Sequence, residues 1–407
     1  MAPLTTFFRS VLQVQGAVVE GVTLDRPAST VVLHVRRRSH AKPHCTVCRA
    51  VLGGTLTTHP RRWRHLDVAG FRLVLVADLR EGRCPRCDGR RVERVPWAAP
   101  RAWHTTTFDR HVASLAQVAD RSAAARVFHL AWRSVGAIIA RVVAACLPAD
   151  RLEGLEALGV DETSYKRGHR YLTLVTNLYT GAVVWVGEGK SAETLGLFFA
   201  ELGPARAARL RLVAMDLSGA FQAAVRAHAP QAEFVFDRFH VVQLLGQAMD
   251  EIRRTECAQL TGEARAALKG TRFALLRNPR HRTPKDEAAI AQVQATNHRL
   301  ARAYQLRVDF EDLWDCETET AAAAFLGRWT TAALRSRREP LRRFARTVRA
   351  HQTGILGFFR WGGLTNAQLE GLNNKVKLCI HRAYGFRSVA GLRAMVFLIC
   401  GGVDLAA

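Results

Sequence analysis

Three acidic residues fall where a chain could use them for chemistry on phosphate. Asp161 closes the apolar run in "LEALGVDET", Asp216 closes "RLRLVAMDLS", and Glu370 lies within "LTNAQLEGLNNKVK". An aspartate directly after an apolar strand is costly if buried without a partner. Two brought together repel, and burial raises their pKa values. A divalent cation removes both problems. Two Mg2+ (or Mn2+) ions about 4 Å apart, held by Asp161, Asp216 and Glu370, would activate an attacking oxygen and stabilise a leaving oxygen at phosphorus. The plainer reading of each aspartate is a turn former or helix cap. Glu162 is a rival ligand beside Asp161, but on a strand it points to the opposite face.

The third acid sits in a patterned stretch. Asn366, Glu370, Asn373 and Lys377 are spaced by four, three and four residues, which places them on one stripe of a helix. Beside that stripe runs an apolar one of Leu369, Leu372, Val376 and Ile380. Asn366, Asn373 and Lys377 are therefore expected to surround Glu370 at the edge of a buried face. In "FDRFH", Asp237 and His240 are three apart where a strand feeds a helix. They can hold each other by a hydrogen bond near the acids or contact DNA; a helix-start aspartate with a partly buried histidine is the alternative.

A second chemistry belongs to cysteine. Cys45 and Cys48 form one CxxC pair, and Cys84 and Cys87 form another about 35 residues later. Two such knuckles joined by strand-like sequence fit a zinc ribbon, in which four thiolates close a tetrahedron around a structural Zn2+. Four free buried thiols and a redox pair are the alternatives. The chain holds nine cysteines, too few and too uneven for a disulfide scaffold, which points to a reducing cytosol.

The elements that must position these residues read in order. Residues 15–38 alternate apolar and polar, as short strands do. Pro96 and Pro100 mark a boundary, after which 107–147 turns helical. "TFDRHVASLAQVAD", "SAAARVFHL" and "AWRSVGAIIARVVAAC" read as three helices with tight turns, a helix-turn-helix. The third would offer Arg133, Ser134 and Arg141 to a DNA groove. After Pro148 come three strands, a helix, a strand, a helix and a strand, the order of an RNase H-like core. In that sheet the strands ending in Asp161 and Asp216 are neighbours. From 246 to 350 the pattern is almost wholly helical. The expected fold is thus multidomain α/β: a zinc-ribbon domain over 1–100, a helix-turn-helix over 101–150, an RNase H-like core over 151–245 and 351–407, and a helical insertion over 246–350.

Charge narrows the partner. Of 407 residues, 59 are Lys or Arg against 35 Asp or Glu, a formal net charge of +24. That excess implies a polyanion, with nucleic acid first, although an Arg-rich proteome alone raises it too. Arg342, Arg343 and Arg346 in the insertion are candidates to hold phosphates, the alternative being a solvated basic helix face. No apolar run approaches the length of a membrane span, and the first residues carry no clear secretory signal.

With these motifs in place, the chain resembles the ISL3 family of bacterial insertion-sequence transposases over nearly its whole length. The resemblance rests on the two CxxC pairs, the helix-turn-helix, "VDE", "MDLS", "FDRFHVV" and above all "TNAQLEGLNNKVK". It implies a DDE triad of Asp161, Asp216 and Glu370, with Mg2+ or Mn2+ at the catalytic site. "DRFH" looks like an Asp-x-x-His motif that many such enzymes share; the tail after Gly385 matches more loosely. It further implies binding to double-stranded DNA, both the terminal inverted repeats and the target, by a homodimer or higher homo-oligomer in the bacterial cytoplasm, at the nucleoid. Two other classes stay open: a zinc-dependent DNA-binding regulator with an inert catalytic domain, and a nuclease or resolvase that cuts without joining.

Overall fold

The computed structural model of the chain describes residues 5–8, 14, 16–37, 42–166, 168–362, 367–383 and 385–405. These group into two compact units. The first is Met1–Leu147 with Ala390–Ile399 and Val403–Ala407; the second is Pro148–Val389 with Cys400–Gly402.

The first unit opens with β1 (Ala17–Asp25), β2 (Thr30–Arg37), β3 (Gly53–Arg64), β4 (Arg72–Cys84) and β5 (Gly89–Val92). They form one sheet in the order β1-β2-β4-β3, with β5 also paired to β4. On β4, Leu73, Leu75, Ala77 and Leu79 are buried at every second position, the period of a strand with one covered face. They pack with Leu33 and with Trp63, which meets Trp97 edge-on at 5.7 Å. At the end of this sheet, buried Glu93 pairs with Arg37 at 2.9 Å and Arg80 at 2.8 Å.

Three helices follow: α1 (Thr106–Val118), α2 (Arg121–Val127) and α3 (Trp132–Cys146). Thr105 caps α1 by accepting from the Phe108 N–H, and Asp120 caps α2 by accepting from the Ala123 N–H. The chain turns through 105° between α2 and α3, within the range of a helix-turn-helix. His129, with φ of 49°, supplies the left-handed residue of that turn. Val112, Ala113, Ala116, Val135, Ile138 and Ile139 fill the space between the helices.

The second unit holds a five-stranded sheet of β6 (Ala157–Lys166), β7 (Arg170–Asn177), β8 (Val183–Glu188), β9 (Leu212–Met215) and β10 (Glu233–Phe236). Its order is β10-β9-β6-β7-β8. β6, β7 and β8 are antiparallel neighbours, turning between β7 and β8 at Gly181 with φ of 70°. β9 runs parallel to β6, and β10 parallel to β9. All four residues of β9 are buried, as expected of a central strand covered on both faces. The crossovers are α4 (Ala192–Leu202), capped by Ser191, and α5 (Gly219–His228), capped by Ser218.

Beyond β10 the described elements are helical up to Arg360: α6 (Arg238–Ala258), α7 (Gly262–Lys269), α8 (Arg272–Leu276), α9 (Pro284–Thr296), α10 (His298–Asp309), α11 (Glu319–Arg335), α12 (Glu339–Ala350) and α13 (Gln352–Arg360). Phe310, Trp329 and Phe344 meet edge-on at 4.7–5.7 Å in their midst. α13 returns to lie on β10. A Cβ at Gly354 would sit 2.4 Å from the Phe236 ring, and one at Gly357 2.9 Å from the Phe234 carbonyl oxygen. Only glycine permits that approach. Then come α14 (Ala367–Arg382), which packs on β6, and α15 (Val389–Cys400). Among the described residues no single helix is long and apolar enough to cross a membrane.

Candidate active site and cysteine cluster

The register of three strands assembles the acidic site. β6 and β9 pair as Ala157↔Leu212, Leu158↔Val213 and Gly159↔Ala214. Side chains alternate along a strand, so 157, 159 and 161 share a face, as do 212, 214 and 216. Asp161 does not end its strand as expected but lies within β6, opposite Leu174 of β7, because the β6–β7 hairpin pairs on to Lys166; Asp216 follows the last residue of β9, and each aspartate stands two residues beyond the last β6–β9 pair. β10 flanks β9 with Phe236 opposite Met215, so Asp237 emerges at the same sheet edge.

Local bonds orient each carboxylate. Asp161 Oδ1 accepts from the Glu162 N–H at 2.7 Å, and Asp216 Oδ1 accepts from the Ser218 N–H at 3.0 Å. The Asp237 N–H donates to the Met215 carbonyl at 3.0 Å, and its Oδ1 caps α6 by accepting from the Phe239 N–H. Turn former and site residue are therefore compatible descriptions, because an ionised carboxylate has two oxygens. Asp237 Oδ2 lies 3.0 Å from His240 Nδ1. That hydrogen bond raises the His240 pKa above its usual value against the opposing effect of burial, and the charges of Asp237, Asp161 and Asp216 add to it. His240 thus feels all three carboxylates.

Glu162 faces away, as alternation requires, with Lys190 Nζ at 3.2 Å. Glu370 belongs to the first turn of α14, the helix on β6. The side chains of Glu370, Asn373 and Leu369, and Asn366 as a whole, lie outside the described residues. On the rest of α14, Leu372, Val376 and Cys379 are buried, Ile380 is half-buried and Lys377 is exposed.

The four cysteines of the first unit converge. Their sulfurs all lie within 4.8 Å of one another, and among the described residues no other group of three or more His, Cys, Asp or Glu does so. Cys48 and Cys84 sulfurs are 3.3 Å apart, and those of Cys45 and Cys87 4.0 Å. A tetrahedral zinc with bonds of ~2.3 Å has sulfur–sulfur edges of about 3.8 Å, so the donor set fits that ion. Both knuckles turn on the residue after their second cysteine, Arg49 with φ of 63° and Asp88 with φ of 40°. Burial pushes the Cys84 thiol up, but the N–H groups of Cys87 and Arg86 and the Cys48 thiol bring it down to about 6. Half-buried Cys87 is pushed up to about 12, first by its contact with Cys48 and then by desolvation. One thiol ionises readily and its neighbour resists, the conflict a cation relieves.

On the helix-turn-helix, Arg133 is exposed and Ser134 half-buried near the start of α3. Arg141 is engaged inside the bundle, where its Nε donates to Asp109 Oδ2 at 2.7 Å. Asp109 is buried on α1, which raises its pKa, while Arg141 opposes the rise. Sequence reading missed this pair. The available signal was an aspartate on the stripe of Phe108, Val112 and Ala116. In the insertion, Arg342 and Arg346 pair with Glu339 at 3.2 and 2.8 Å, and Arg343 with Glu251 at 2.6 Å. All three arginines are about half exposed.

Comparison with known proteins agrees with this arrangement. Residues 158–396 match the ISL3-type DDE family model described as "Transposase", and residues 93–143 match the helix-turn-helix domain of transposase family ISL3. The transposase for insertion sequence element IS1557 of Mycobacterium tuberculosis is 34% identical over 97% of this chain and 95% of its own length. The transposase for insertion sequence element IS1001 of Bordetella parapertussis is 32% identical over 84% of this chain and 85% of its own.

Proposed function

The chain belongs to the ISL3 family of insertion-sequence transposases, and on that premise we propose that it binds the terminal inverted repeats of its own element and cuts and rejoins DNA strands there. What supports the proposal is that Asp161, Asp216 and Asp237 come from three adjacent strands, β6, β9 and β10, and that all three carboxylates act on His240, while the helix that carries Glu370, α14, packs on β6. The strand order supports an RNase H-like core. The oxygen donors suit Mg2+ or Mn2+, and the negative field registered at His240 supports a cation there. Asp161, Asp216 and Glu370 would hold the pair of ions, which supply charge neutralisation at the phosphodiester.

The protein's own part is positioning. Water attacks in line at the end of the element and frees a 3′-hydroxyl; that hydroxyl then attacks a target phosphodiester. Each step exchanges one P–O bond for another, so no covalent protein–DNA intermediate is needed. Asp237 fixes the His240 ring through Nδ1, which directs Nε2 outward for a proton or a phosphate contact. Arg133 and Ser134 read the repeat, and Arg141 holds α3 in place for them. Arg342, Arg343 and Arg346 exchange exposed ion pairs, each worth little in water, for DNA phosphates. The cysteine cluster holds a structural zinc that shapes the N-terminal reader. Joining two ends calls for a dimer or larger assembly.

The test is incubation of the full chain with labelled inverted-repeat DNA and Mg2+ or Mn2+. Asp161→Ala, Asp216→Ala and Glu370→Ala should each lower cleavage by on the order of 10²–10³-fold or more while leaving end binding intact. Cleavage that survives all three changes would overturn the assignment.

A further inference from the structure

We propose that a cleft along α6, walled by α6 and α8 and adjoined at its Phe239 end by a cavity that reaches Asp237, receives a short unpaired stretch of the DNA strand being processed. The inference rests on the transposase reading above and adds a site to it. The cleft has a volume of about 780 Å³, the size of a small-ligand pocket. Phe239, Gln243, Gln247, Asp250 and Arg254 line it along one face of α6, and Arg272 lines it from α8. The spacing of four, four, three and four residues keeps the α6 set on a single stripe. An adjoining cavity of about 510 Å³ shares Phe239 and reaches Asp237.

The lining has the chemistry of a nucleotide. Phe239 is 56% exposed and meets the His240 ring edge-on at 5.9 Å. A large ring held in water two residues from Asp237 does little for the core, but it offers a face on which a base can stack. Gln243 and Gln247 are exposed amides with both donors and acceptors for a base edge. Asp250 is outnumbered: Arg253, Arg254 and Arg272 approach it at 2.8, 3.4 and 3.7 Å. Positive charge therefore remains at that end for a phosphate. In the adjoining cavity Asp237, Glu311, Asp312 and Asp315 outnumber Arg238, Arg280 and Arg307. Phe239 and Arg254 stand about 22 Å apart along α6, so the cleft takes several nucleotides, with a base stacked at Phe239 and the backbone phosphates running toward Arg254 and Arg272.

The experiment uses the full chain in metal-free buffer with three probes carrying 2-aminopurine. These are a single-stranded oligonucleotide, a blunt duplex of the element's end and the same duplex with a single-stranded tail. Wild type should quench the single strand, and Phe239→Ala and Phe239→Leu should each weaken its binding about tenfold or more, with blunt-duplex affinity held within about twofold. Quenching on the blunt duplex identifies a base extruded from it; quenching on the tailed duplex alone identifies a tail. Unchanged single-strand affinity in both variants overturns the inference, as does an equal loss on a blunt duplex whose 2-aminopurine is not quenched. Cleavage by wild type in Mn2+ is scored in parallel: its absence counts against the transposase reading, whereas its presence with unaffected Phe239 variants counts against the cleft alone.

Discussion

At the scale of single residues, the acidic edge works through charges that neighbours have already biased. Asp237 caps α6 with one oxygen and meets His240 with the other, so one side chain couples helix start and imidazole. The raised His240 pKa has a consequence for stability. A base whose folded pKa exceeds its unfolded value favours the native state below the unfolded pKa, near 6.5, and loses that contribution as pH rises through the folded value. With divalent ions chelated, stability should therefore decline across that window. Asp237→Asn keeps a good helix cap but removes the charge. It should lower the His240 pKa in an NMR titration and flatten the pH dependence of the melting temperature; an unshifted titration would remove Asp237 as the cause. That Asp216 and Asp237 follow the ends of strands was legible from the apolar runs before them, whereas Asp161, expected to end its strand, lies within β6, which runs on to Lys166 because the hairpin with β7 continues its pairing. The bonding of Asp216 and Asp237 to Ser218, Phe239 and His240 N–H groups was not legible, because it depends on loop conformation.

At the scale of elements, the helix-turn-helix separates two arginines on the same helix. Arg133 is exposed at the start of α3, whereas Arg141 ties α3 to Asp109 on α1. Breaking a buried ion pair from one side leaves an uncompensated charge and costs about 3–5 kcal/mol. Arg141→Met should therefore destabilise the first unit by about 3 kcal/mol, read as a lower melting transition. Arg133→Ala should leave the melting unchanged and weaken binding to the inverted repeat. A stable Arg141→Met protein with lost DNA binding would instead return Arg141 to the groove. From sequence the two arginines look alike, since each lies on a helix whose packing partner is set by the bundle. The helices themselves were readable from their caps and apolar spacing.

At the scale of the whole chain, net charge and metal set the behaviour. The +24 charge suits a polyanionic partner, and the four cysteine sulfurs, drawn from positions 45 to 87, converge on one point. Zinc held there would contribute directly to folding, because a preformed site does not survive unfolding. Cys84→Ser should lower zinc content and abolish end-specific binding. The second unit contains none of these ligands, so its own melting transition should persist. Unchanged zinc content in that variant would count against the four-cysteine site.

The sequence by itself determined the order of strands and helices, the two cysteine knuckles, the aspartates at the ends of apolar runs, and the family. These are local patterns of period, cap and spacing, carried by residues close together in the chain. Only the tertiary structure decided that Arg141 meets Asp109, that Glu162 turns to Lys190, that Gly354 and Gly357 let α13 lie on β10, and that α6 and α8 leave a cleft beside Phe239. Such pairings depend on which faces of distant elements come together. That choice is made by the packing of the core as a whole, and no short stretch of sequence contains it.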